Sequence, residues 1–172
     1  MAEIKITKNK VIPFIDVSKT VNTDSWSAVY KRIDKSTIFD LAFNPQSESV
    51  DYISLESAIE EVSSYQLELN QEIALYRGNP IYDFVESMCI DLPLGDDLKV
   101  PFLLAWPPEQ DEEGKLTGTI KGWRVKDCRL MLSNYNTVDG KITFTLSLGG
   151  DIEKGTITVG EGGVPTFVAN QA

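Results

Sequence analysis

The groups able to do chemistry are few. The chain has no histidine, which removes Ser-His-Asp and Cys-His nucleophilic schemes and most zinc hydrolase schemes in one step. Carboxylate pairs remain, at Glu60-Glu61, Asp96-Asp97 and the run Asp111-Glu112-Glu113. A glycosidase needs two carboxyls converging on one bond, whereas neighbours on a strand point to opposite faces and loop acids are solvated. Gly149-Gly150 and Gly160-Glu161-Gly162-Gly163 lack the GxGxxG and Walker spacings and open no helical pattern, so they predict turns or linkers rather than a phosphate cradle. Cys89 and Cys128 have neither CxxC spacing nor histidines to complete a zinc set, and are expected to be free, buried thiols of a reducing compartment. No catalytic, cofactor-binding or metal-binding residue is therefore expected, and no cofactor.

Charge narrows the partners. A formal net charge of −10 argues against a protein that grips nucleic acid, because phosphate binding needs clustered Lys and Arg. It is compatible with a wall that lets DNA pass, or simply with solubility. Lys121, Arg124, Lys126 and Arg129 gather the local positive charge, and pairing with the acidic excess is the favoured reading over nucleic acid. Trp26, Trp106 and Trp123 are expected as core or interface anchors; an exposed pair of Trp106 and Trp123 would instead favour a binding module. No run has signal-peptide or membrane-span character.

The elements that position these groups are mostly strands. At 172 residues and 42% hydrophobic, one domain is expected, with an N-terminal arm at 1–10 and a C-terminal tail at 160–172 that orders on contact. Val11 to Val17, broken by Pro13, predicts an edge strand, and Thr37 to Phe43 a clean one ending at Asn44-Pro45. Ser25 to Asp34 fits a strand or a helical turn. Asn44 to Asp51, rich in Ser and Glu, predicts an exposed loop. Leu55 to Val62 fits either period, and Ser63 to Ile73 alternates as a half-buried strand. Asn79 to Leu92 predicts the single helix: Asn79 as N-cap, Pro80 at the first position, and Ile81, Phe84, Val85 and Met88 as one apolar stripe. Leu98 to Trp106 alternates as a strand that Pro101 marks as an edge or a bulge. Pro107 to Gly118 predicts a solvated loop and Thr119 to Leu132 an extended strand.

Ser133 to Val159 predicts two linked hairpins. Ile142, Phe144, Leu146 and Leu148 alternate with Thr143, Thr145, Ser147 and Gly149, giving one apolar and one small polar face. A two-residue turn at Asp139-Gly140 would set Ile142 opposite Thr137, Phe144 opposite Tyr135, Leu146 opposite Ser133 and Leu148 opposite Met131. A second reversal is expected at Asp151 to Gly155.

This order of elements, with Tyr76-Arg77-Gly78-Asn79-Pro80-Ile81-Tyr82-Asp83-Phe84 opening the helix, and with Val138 to Phe144 and Gly150 to Thr156 in the C-terminal hairpins, resembles the tail tube proteins, or major tail proteins, of long-tailed bacteriophages. The likeness runs from about Phe39 to Val159. It implies a mainly β fold, a β-sandwich or β-barrel flanked by one α-helix, assembling into hexameric rings that stack into a tube through which the genome passes. Related tube subunits occur in contractile tails, tail-like bacteriocins and type VI secretion. The implied partners are further copies of the chain, the tape measure, tail initiator and terminator proteins, and DNA passing without specific binding, with no membrane. The implied location is the virion tail, after synthesis in the host bacterial cytoplasm. By the same resemblance, Asn44, Pro45, Ser47, Glu48 and Asp51 belong to a ring-stacking loop, joined in that role by the N-terminal arm and C-terminal tail. Thr143, Thr145 and Ser147 are expected at the lumen or a subunit interface. The alternative is a monomeric β-sandwich binding or adhesion module.

Overall fold

A computed structural model describes residues 5–6, 10–18, 29–54, 56–109 and 118–170. These residues are mainly β with one α-helix. The strands are β1 (Ile12–Asp16), β2 (Tyr30–Arg32), β3 (Asp40–Ala42), β4 (Pro45–Val50), β5 (Ile59–Tyr65), β6 (Leu67–Ala74), β7 (Phe102–Ala105), β8 (Ile120–Asn136), β9 (Lys141–Val159) and β10 (Pro165–Ala169), and α1 spans Pro80–Asp91. All pairings among the described residues are antiparallel, in the order β2-β1-β7-β8-β9-β6-β3 with β10 added to β9, while β4 and β5 pair there only with each other.

One long hairpin, β8 with β9, organises the large sheet. Its first part, reaching Arg129–Asn136 and Lys141–Leu148, continues through β6 to β3, and its far part continues through β7 and β1 to β2. The register shifts between Val125 and Asp127, and Gly150 takes φ +68 beside Asp127. Bulges and a left-handed glycine bend a strand pair without ending it. The bend lets both half-sheets enclose one core containing Ile15, Phe102, Leu104 and Val125 from one half and Leu69, Leu130, Phe144 and Leu146 from the other. A second cluster of Phe14, Leu103, Ala105 and Ile157 occupies the opposite face of the β1-β7 half. At Gly155 an added Cβ would sit 2.2 Å from the Val168 carbonyl, so only glycine lets β10 approach.

Helix α1 forms as expected. The Asn79 side chain accepts from the N–H groups of Ile81 and Tyr82 at 3.0 and 3.2 Å, Pro80 needs no partner at N1, and Leu92 closes the helix in the left-handed region before Pro93. Ile81, Tyr82, Phe84, Val85 and Met88 are buried on the core, each contributing about 1.5–3 kcal/mol relative to exposure.

Several expectations are corrected. The turn joining β8 to β9 has four residues, not two: the Asn136 carboxamide oxygen accepts from the N–H groups of Val138 and Asp139 at 3.0 and 3.1 Å, so Asn136 pairs with Lys141. Ile142 then faces Tyr135. A further register shift between Leu132 and Asn134 sets Phe144 opposite Leu132, Leu146 opposite Leu130 and Leu148 opposite Cys128. No reversal occurs at Asp151 to Gly155, which runs within β9. The expected C-terminal tail contains β10, and the expected edge strand β1 lies between β2 and β7. Strand β7 is likewise internal; Pro101 precedes it, so its missing N–H costs no ladder bond, and its carbonyl accepts from the Asp16 N–H at 2.9 Å. Most of the arm 1–10, most of the expected loop 107–118, the run Asp111-Glu112-Glu113 and Trp26 lie outside the described residues.

Candidate assembly surface

The sheet face away from α1 is built by period-2 alternation. With Leu67, Leu69 and Ile73 turned to the core, Glu68, Asn70 and Glu72 must face outward. Register brings Ser147 beside Glu68, Thr145 beside Asn70 and Thr143 beside Glu72, with Arg129, Met131 and Asn134 flanking them on β8 and Asp40 and Ala42 extending the face on β3. Thr143, Thr145 and Ser147 are half-buried and lie outside the core, so the structure brings the three expected residues together on one open face. Thr145 donates to Asn70 Oδ1 at 2.8 Å, and Thr143 donates to the Asn134 carbonyl at 3.4 Å.

Glu72 is the charged centre of this face. Lys141 Nζ and Thr37 Oγ1 both approach its Oε1 at 2.6 Å. These bonds, the lysine's foremost, hold the Glu72 carboxyl below its usual range, and the same contact raises Lys141. Sequence reasoning missed this pair because its partners are 69 residues apart.

Strand β3 ends the sheet on one side, and β8 beyond Arg129 ends it on the other, with no further strand pairing among the described residues. Their outer N–H and C=O groups are therefore available to another chain.

The residues expected in a stacking loop lie elsewhere, and most of them form a strand, not a loop. Pro45, Ser47 and Glu48 belong to β4, whose partner β5 completes a two-stranded hairpin, while Asn44 marks its root and Asp51 follows β4. Asn44 adopts φ +41, and its carboxamide donates to the Gln66 carbonyl at 3.0 Å. Strand β4 was illegible because it shows no apolar alternation, whereas Ser63 to Tyr65 of β5 fall in the expected strand Ser63 to Ile73, which breaks at Gln66 into β5 and β6 of two different sheets. Twelve of its thirteen strand residues are exposed.

The remaining chemical candidates are engaged structurally. Asp96 pairs with Lys99 at 3.2 Å and Arg129 at 3.7 Å; Lys121 pairs with Glu109 at 2.6 Å; Arg124 and Lys126 share Glu153. The basic residues are thus paired with acids. Glu60 and Glu61 point to opposite faces of the hairpin, and Gly149-Gly150 lies within β9. Trp106 and Trp123 do meet, edge to face at 5.0 Å, but half-buried against the core. Cys128 is fully buried, which raises its thiol pKa, and Cys89 is half-buried; both are free.

The Arg124 hydrogen bond, ahead of the opposing effect of burial, holds the Glu153 carboxyl below its ordinary value of 4.5. A depressed carboxylate stabilises the fold above its unfolded pKa, and the contribution is lost as pH falls through the folded value. Glu153→Gln should therefore lower Tm most at neutral pH, with the gap to wild type narrowing as pH falls below the ordinary carboxylate range. Melting curves across that range check this; a gap that widens in acid contradicts it.

No known protein family matches this chain, and no curated protein is significantly similar to it.

Proposed function

We propose that the chain is a structural, non-catalytic subunit of a phage or phage-like tail tube, forming hexameric rings that stack into a conduit for genome delivery. The observation that carries this reading is the half-sheet β3-β6-β9-β8. One face is closed by α1, the other is polar with its hydroxyls set among Glu68, Glu72 and Arg129, and neither edge has a strand partner among the described residues. Pairing the β3 edge of one copy with the β8 edge of the next would extend the sheet around a ring, a head-to-tail contact that closes when the rotation allows. The Thr143, Thr145 and Ser147 hydroxyls would then face the lumen beside Glu68 and Glu72. The two cations described on this face, Arg129 and Lys141, are paired with Asp96 and Glu72, so such a wall offers phosphate no cluster of open charges and DNA passes without specific binding. The tail tube resemblance supplies the ring size, the tape measure, initiator and terminator partners and the virion location.

A pair of substitutions tests the closure. Asp40→Cys and Met131→Cys, placed on β3 and β8 in a Cys89→Ser background, should be joined between copies by a short bis-maleimide. The expected product is a covalent ladder ending in one closed species. An assembled sample that yields no ladder would rule out edge pairing.

A further inference from the structure

The inward side of β6 carries Leu67, Leu69, Gln71 and Ile73, all of them buried. Three are apolar members of the core, and the fourth is an amide only 2% exposed. Its Nε2 donates to the neighbouring Asn70 carbonyl at 2.8 Å. A carbonyl accepts only from a donor, so that bond fixes which end of the amide is oxygen. Gln71 Oε1 is then left with no hydrogen-bond partner among the described residues. A buried acceptor without a donor is unfavourable, and an aliphatic side chain in the same row would avoid the cost.

Gln71 lines a cleft. Residues 33–37 cross from one half-sheet to the other, the Ile33 N–H donating to the Pro13 carbonyl beside β1 and the Thr37 N–H to the Glu72 carbonyl of β6. Beside this crossing opens a cleft of about 220 Å3, walled by Pro13, Ile33, Ile38 and Phe39. Openings between sheets are common ligand sites, and this volume, below that of drug-sized pockets, suits one substituted ring. Ile38 and Phe39 are 42% and 37% exposed, so the outer wall is apolar surface left uncovered in the monomer, and Phe39 offers a ring to pack against. The buried Gln71 marks the inner end and the exposed Arg32 the rim. Arg32 has no ion pair among the described residues. The rim acid, Asp34, is engaged by the Asn79 carboxamide at 3.0 Å, and the Ser36 hydroxyl donates to the Ile38 carbonyl at 2.7 Å.

The cleft thus presents an unused acceptor inside, apolar walls, and a guanidinium at its mouth. We propose that it binds a compact aromatic acid carrying a hydroxyl or N–H donor at the end away from its carboxylate. The donor satisfies Gln71 Oε1, the ring covers Ile38 and Phe39, and the carboxylate meets Arg32. The site lies on the core side of β6, opposite the Thr143, Thr145 and Ser147 face, and makes no use of the tube reading.

Titrations of the full-length protein followed by saturation-transfer NMR test this with 4-hydroxyphenylacetate, phenylacetate and 4-ethylphenol, which carry both groups, the acid alone and the donor alone. The first should bind about tenfold more tightly than either of the others, the worth of one hydrogen bond or one charge contact. Gln71→Leu completes the apolar row and should bind 4-hydroxyphenylacetate and phenylacetate equally. Arg32→Gln, at an exposed position that leaves the core untouched, should bind 4-hydroxyphenylacetate and 4-ethylphenol equally while still preferring the hydroxyl over phenylacetate. No saturation transfer up to about 10 mM ligand, equal binding of all three compounds by the wild type, or preferences that persist unchanged in either variant would overturn the proposal.

Discussion

Phe144→Ala is expected to destabilise the fold by about 3–5 kcal/mol, lowering Tm by about 10 °C. Phe144 is 1% exposed, lies on the central strand β9, and belongs to the core shared by both half-sheets and α1. Little backbone nearby can collapse into the void, since β8 and β6 hold β9 on both sides. Thr145→Val, one residue along, should change stability by no more than about 1 kcal/mol. It loses one hydroxyl bond to Asn70 but keeps a β-branched side chain on the open face. Urea denaturation of the two variants checks the assignment of faces. Comparable losses at both positions would mean that the hydroxyl face is buried in the monomer.

Excising the hairpin should separate folding from stacking. Asn44 and Gln66 are already hydrogen-bonded across its root, and β3 and β6 remain paired through Ala42 and Glu68. Replacing residues 45–65 with a short Asn-Gly turn therefore leaves a β3-β6 hairpin in register. The expected variant is folded, with stability within about 1 kcal/mol of wild type because none of the described residues removed belongs to either core, yet it forms separate rings and no stacks. Circular dichroism and sedimentation velocity read the two effects separately. Unfolding on excision would show that the hairpin supports the fold; undiminished stacking would remove it from the contact between rings.

The parts legible in the sequence are those fixed by local physics. Asn79-Pro80 and the apolar stripe of α1 specify a helix within its own residues. The hydroxyl face of Thr143, Thr145 and Ser147 follows from alternation alone, and it survives an error in register because faces depend only on period. Register itself was not legible. Asn136 caps the turn with its side chain, so the Asp139-Gly140 pair does not form the two-residue loop it suggests, and the bulges near Lys126 and Ser133 shift the pairing again. Asp151 to Gly155 carries turn residues, but Gly150 serves as a bend and Gly155 as a site of close approach to β10. The β4 half of the β4-β5 hairpin escaped notice because it buries nothing and so shows no apolar alternation. Its charge imbalance was the visible signal. Likewise, β1 and β7 became internal only through β2 and the bent β8, pairings that no short window contains.

The central claim is that this chain encloses a channel with copies of itself. Negative-stain electron microscopy of the purified, unmodified protein over a rising concentration series tests it most directly. The account predicts annular particles with an open centre, lengthening into stacks as concentration rises. A sample that remains monodisperse monomer at every concentration, with no annuli, would contradict it.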